Sequence, residues 1–135
     1  MHMEHYIFPA IFTPDKERGG YTVKYPDLPG CLTEGDNLEL ARANAQEALE
    51  GFLYFMEQDN DLIPAPSFPE NIKMEPGAFV VPVDAWMGLV RDEMRNKVVR
   101  TNVTLPKWLK DAAEERHFNF SQLLQHAIKE RLNIH

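Results

Sequence analysis

Hydrophobic and polar positions change their rhythm several times along the chain, and each rhythm predicts a different element. Tyr6–Thr13, YIFPAIFT, is almost wholly apolar and reads as a strand, with an edge or bulge where Pro9 withholds a backbone donor. Tyr21–Tyr25, YTVKY, alternates with period two, and Cys31–Gly35, CLTEG, is a short third strand. The intervening PDKERGG and PDLPG carry turn residues, so the three strands form an antiparallel meander.

From Asp36 the period lengthens. Asp36 with Glu39 three residues on fits a capping box. Leu38, Ala41, Ala45, Ala48, Leu49, Phe52 and Met56 then fall on one face of a helix. Glu47, Glu50, Tyr54 and Glu57 form the opposite stripe, a solvated face by default and otherwise a contact surface for a basic partner. Prolines around IPAPSFPE make residues 60–77 a loop, and Phe79–Val83, FVVPV, is a fourth strand that pairs over a long range. Residues 1–83 therefore read as a β-β-β-α-β module. Residues 84–96, DAWMGLVRDEMRN, read as a connecting segment with Trp86, Leu89, Val90 and Met94 on one helical face.

The last module, residues 97–135, starts with alternation again. Along Val99–Leu105 the side chains Arg100, Asn102 and Thr104 share one strand face, and Thr101, Val103 and Leu105 share the other. Pro106 suits a helix's first turn, and Trp108, Leu109, Ala112 and Ala113 continue that helix to about His117. Asn119 caps a second helix with an apolar face of Leu123, Leu124, Ala127, Ile128 and Leu132. One strand and two helices of this size cannot bury an adequate core. The strand needs a mate, and a second copy of the chain supplies it, so an obligate homodimer is expected; further pairing into tetramers stays open.

Charge sharpens the division. The chain of 135 residues carries a formal charge of -7, but unevenly. From Met1 to Asn96, seven Lys/Arg stand against 17 Asp/Glu; from Lys97 to His135, seven stand against four. The acidic part suits a basic protein and repels nucleic acid, and the tail does the reverse. Arginine, asparagine and threonine on one strand face are side chains suited to base edges. With 44% hydrophobic and 26% charged residues, no run of membrane-span length and no visible signal peptide, a cytoplasmic globular protein is expected. Cys31 is the single cysteine, which excludes an intrachain disulfide and leaves a small, partly buried residue as its default.

The tail resembles a ribbon-helix-helix domain of the Arc and MetJ type, through RTNVTLP and NFSQLLQHAIKERL. The resemblance implies that two strands pair antiparallel and enter the major groove of operator DNA. Arg100, Asn102 and Thr104 then face the bases, Lys107 meets the backbone, and the helix start at Phe120 and Ser121 offers amides to a phosphate. The front, YPDLPGCLTEGDNLELARANAQEALEGFLYFME followed by IPAPS, is similar to the HicB antitoxin family. That resemblance implies an α+β fold: a partly degraded ribonuclease-H-like domain followed by a DNA-binding tail. It also implies a small basic partner, a HicA-type toxin that cleaves mRNA with a histidine, and repression of the pair's own operon. Glu47, Glu50, Glu57 and Asp27 are the candidate toxin contacts; Asp36 is a further one, better read as a turn or cap residue.

Two rivals remain. Residual metal-dependent ribonuclease activity needs several carboxylates converging on metal ions, but Asp15, Glu17 and Asp27 lie in turns. A ligand- or metal-responsive repressor needs soft ligands at a recognisable spacing. His2 and His5, expected in a disordered start, and Cys31, His117 and His126 have none. No catalytic residue, metal or cofactor is therefore expected.

Overall fold

The apolar run near the start of the chain becomes an interior strand of an antiparallel sheet. In the computed structural model, which describes residues 3–134, β1 (His5–Pro14), β2 (Tyr21–Lys24), β3 (Leu32–Gly35) and β4 (Phe79–Trp86) lie in the order β3-β2-β1-β4. Alternation decides what the sheet buries. Tyr6, Phe8, Ala10 and Phe12 of β1, Val23 of β2, and Val83 and Ala85 of β4 share one core with a long helix, α1 (Leu38–Gln58). Pro9 causes no bulge, because the β1–β4 register runs evenly from His5↔Trp86 to Phe12↔Phe79. It stands opposite Pro82. Neither residue can donate, so the two form a pair that exchanges no ladder bonds. Their ring nitrogens then point outward, Pro82 to the open edge of β4 and Pro9 to the side where β2, paired only from Ile11 onward, has ended.

The helix begins one residue later than the sequence suggests. Asn37, extended at φ -148°, is the cap, and its side-chain oxygen accepts from Leu40 N at 2.8 Å. Asp36 is not the cap: adjacent capping-type residues compete, and Glu39 falls at the wrong spacing for a box based on Asn37. A side chain on Gly35 would run into the backbone of Ala41, so glycine there lets the helix close on β3. Small Ala41 and Ala45 keep that approach tight, and Leu49 and Leu53 fill the wider end. The buried stripe is therefore Ala41, Ala45, Leu49, Leu53 and Glu57, whereas Leu38 is exposed.

Segment 84–96 is not a connector. β4 continues to Trp86, and α2 (Met87–Arg95) packs Met87 and Val90 into the same core, leaving Trp86, Leu89 and Met94 exposed. His5 is likewise ordered as the first residue of β1, stacked on Trp86 with ring centroids 3.7 Å apart and bonded to Asp84 at 2.7 Å. His2 lies outside the described residues. The chain divides into two compact units, Met1–Lys97 and Val98–His135.

In the second unit, α3 (Lys107–Glu115) and α4 (Phe120–Leu132) form where the apolar spacing and Pro106 place them. Asn119 caps α4, accepting from Gln122 N at 3.0 Å, and left-handed His117 ends the turn after α3. The strand expected at Val99–Leu105 is absent from the single chain: residues 97–106 have no regular structure. A ladder requires two strands, and the described residues of this unit contain no second one.

Candidate protein and nucleic-acid interfaces

The acidic stripe of α1 divides into two kinds of carboxylate. Glu47 is exposed and Glu50 half-buried. Burial, with Glu93 of α2 and Glu47 nearby, raises the Glu50 carboxyl above its ordinary range. Glu57, expected on the same stripe, is instead buried, with its side chain only 3% exposed. Arg91 of α2 grips it through Nε at 3.0 and 3.1 Å and through Nη2 at 2.7 Å. The same guanidinium reaches Glu4 at 2.9 Å and the Met3 carbonyl at 2.8 Å. Its hydrogen bonds to Glu57 are the largest cause holding it more firmly charged than usual. Through Arg91, Glu57 thus ties α2 and residues 3–4, just before β1, to α1, and it is withdrawn from the candidate toxin contacts. The stripe failed here because the partner that draws Glu57 inward lies 34 residues away.

Asp27 is also engaged within the chain. Its carboxylate accepts from Ser67 N at 2.9 Å and from Ser67 Oγ, pinning the proline loop to the turn after β2. That turn is anchored to α1 as well. Tyr25 Oη donates to the Ala45 carbonyl at 2.6 Å, Leu28 is buried, and Cys31 Sγ lies 3.7 Å from the Ala48 carbonyl. Burial pushes the Cys31 thiol up to about 11, which keeps it protonated, a donor and a poor nucleophile. Burial first, then Cys31 and Glu50, pushes the Tyr25 phenol well above its usual range.

Beside this anchored turn runs a groove of about 480 Å³ between β3 and α1, lined among others by Leu32, Glu47, Ala48, Gly51, Phe52 and Phe55. Leu32 and Phe55 are 66% and 64% exposed. The sequence reading missed Gly51 and Phe55; a glycine amid good helix formers is the signal that marks the place.

Among the described residues, carboxylates do not converge elsewhere in the way a nuclease requires. Asp15 Oδ1 accepts from the backbone of Glu17 and Arg18 in its own turn, and Asp27 is held by Ser67. Among the described residues no group of three or more His, Cys, Asp or Glu is arranged to hold a metal ion. His117 shapes a turn, and His126 sits 3.2 Å from Glu130 on α4.

In the second unit Arg100, Asn102 and Thr104 are exposed, as are Thr101, Val103 and Leu105, so the unpaired segment has no inner face. Lys107 Nζ bonds Asp111 Oδ2 at 3.0 Å on α3, one turn on. Phe120 and Ser121 form the first turn of α4, where Ser121 Oγ accepts from Gln125 at 3.2 Å. Among the described residues none in this unit is buried.

A small sheet packed against α1 and α2, followed by a unit whose two helices leave their apolar faces uncovered, makes this a two-part α+β protein. Residues 8–128 match the family described as HicB_like antitoxin of bacterial toxin-antitoxin system, and the chain belongs to that family. A 14.9 kDa protein of unassigned function from Haemophilus phage HP1 is 31% identical over 97 residues, covering 70% of this chain and 71% of its own. Antitoxin HicB of Escherichia coli K12 is 42% identical over 60 residues, 44% of this chain and 43% of that protein; the match thus spans less than half of this relative. In fold, the chain is similar to a chain of a toxin-antitoxin complex from Streptococcus pneumoniae (TM-score 0.61, 21% identity, 94% and 99% of the two chains covered). It is also similar to the Burkholderia pseudomallei antitoxin HicB (TM-score 0.56, 24% identity, 94% and 98% covered). No described helix is long and apolar enough to cross a membrane.

Proposed function

We propose that the chain is an antitoxin whose first unit, in the manner of a degraded ribonuclease-H-like domain, binds and neutralises a HicA-type toxin. The observation that carries this, beside membership of the family, is the segregation of charge onto two units of different build. A basic ribonuclease must attract RNA. An acidic surface competes for the same charges and speeds the encounter. Glu47 and Glu50 on α1 are the contacts, and the first unit covers the toxin's RNA-binding surface and catalytic histidine. Reversing both charges, with toxin capture read by co-purification, should abolish or strongly weaken the complex; undiminished capture would remove α1 from the interface.

The second unit reads operator DNA as a ribbon-helix-helix dimer and represses the pair's own operon. Two copies of the segment around Val99–Leu105 pair, which turns Val103 and Leu105 inward and sends Arg100, Asn102 and Thr104 into the major groove. Lys107, released from Asp111, and the amides at Phe120 and Ser121 meet phosphates. Arg100→Ala should cost about 1–3 kcal/mol of specific binding and relax one base position. Lys107→Ala should weaken operator and random DNA alike and flatten the salt dependence. Gel-shift titrations against both DNAs separate these outcomes. An Arg100 variant that keeps the wild-type preference for operator would sink the base-contact role.

A further inference from the structure

Gly51 lies in the interior of α1, where glycine is the least favourable residue save proline. Among the described residues nothing requires it: beyond its own helix turn, a side-chain carbon added there would meet nothing within 4 Å. Gly35 shows the contrast, since a side chain there would collide with the Ala41 backbone. A helix glycine that relieves no internal clash weakens the free molecule without return. An atom from outside, seated against the bare backbone, supplies the missing reason.

We propose that the groove between β3 and α1, floored by Ala48 and Gly51 and walled by Leu32, Phe52 and Phe55, receives an apolar side chain of the toxin, presented among basic residues that face Glu47. This rests on the toxin-binding reading above and adds the place and the chemistry. Leu32, Phe52 and Phe55 give the groove an open apolar side, with Leu32 and Phe55 about two-thirds exposed, and Thr33, Asn44 and Glu47 give it a polar one. Glu47 lines the groove and Glu50 stands one turn further along the helix, on a unit whose carboxylates far outnumber its cations. An apolar side beside an acidic one fits an apolar anchor flanked by Lys or Arg, an apolar centre with a charged rim.

The groove takes a side chain and not an added strand. β3 is an edge of the sheet, but Asn44 Nδ2 donates to the Glu34 carbonyl at 2.8 Å. That occupies an acceptor which strand addition would use. On the far side of the helix Gln46 points to the Asp84 carbonyl of β4, at 3.4 Å, and Pro82 has no donor to offer.

The test uses the full chain, with calorimetric titration against a HicA-type toxin and thermal unfolding of each variant. Gly51→Gln fills the floor with a better helix former. It should bind at least tenfold more weakly while unfolding at the same or a higher temperature. Phe55→Ser, exposed in the free chain, should show a comparable loss and guards against an idiosyncrasy of position 51. Ala43→Gln, exposed on α1 beside β4, should bind like wild type. Wild-type affinity in both Gly51→Gln and Phe55→Ser overturns the groove while leaving the toxin-binding reading intact. Loss of binding in Ala43→Gln alone moves the interface to the β4 side and also overturns it. A wild-type chain that binds no toxin removes the broader reading, and the groove falls with it.

Discussion

Beyond their charge, the two units differ in what they do with their apolar residues. In the first, Phe8, Phe12, Leu49, Leu53 and Met87 are fully buried between one sheet and the helices α1 and α2. In the second, Leu109, Leu123, Leu124, Ile128 and Leu132 are 38–62% exposed, and no described residue is buried. One unit closes its core within a chain; the other leaves its apolar faces uncovered. The lesson is that apolar spacing predicts an element, whereas burial depends on how many elements a segment has to close over. Two helices and an unpaired segment have too few.

Breaking the second unit's apolar face should give the largest effect. If two chains bury Leu124 against each other, Leu124→Asp forfeits about 2 kcal/mol of burial per copy and adds two unpaired charges. The full chain should become monomeric by analytical ultracentrifugation and lose operator binding by about a hundredfold or more. The thermal transition of the first unit should not move. A Leu124→Asp chain that still dimerises would show that α4 does not form the shared core.

Within the first unit, Phe8→Ala should cost about 3–5 kcal/mol, because the ring is wholly enclosed and its cavity cannot collapse. Denaturant titration should show this loss at every protein concentration. The second unit's stability should instead rise with concentration, as mass action demands of a dimer.

The two asparagine caps sharpen the same contrast at smaller scale. Asn37→Ala and Asn119→Ala each remove one side-chain bond to a helix N–H and should each cost about 1 kcal/mol. The first should appear as a fixed shift in midpoint. The second should appear as a higher concentration needed for assembly.

These caps also show where sequence suffices. Asn119 was readable because Asn stands just before an apolar helix with no rival beside it. At the other helix Asp36 competed with Asn37, and the choice depended on how β3 hands over to the helix through Gly35. The β-β-β-α-β order followed from local periodicity and turn residues. α2, the extra length of β4 and the burial of Glu57 did not. Each depends on contacts distant in sequence, above all Arg91 on Glu57. Candidate contacts divided the same way: Glu47 and Glu50 stayed accessible, whereas Asp27 and Glu57 serve the chain's own loops and helices.

The smallest effect joins stability to function. The Glu50 carboxyl is raised by burial first and then by Glu93 and Glu47, so its charged form is disfavoured in the folded chain. A carboxyl raised on folding contributes stability that is complete below its unfolded pKa and is lost as pH rises through the folded value. As pH rises through that folded value the contribution is lost and the like-charge cost remains. Glu50→Gln should therefore stabilise the free first unit at pH 7 by about 0.2–0.5 kcal/mol, the size of a like-charge helix pair, and the gain should vanish in acid. The same variant should bind toxin more weakly, because a basic partner relieves a repulsion that the neutral amide no longer feels. Midpoints at two pH values and one toxin titration measure both halves. A variant that gains stability and loses no affinity would show that the carboxylate lies outside the interface, and one that loses affinity would show that the chain retains the charge for its partner at the expense of its own fold.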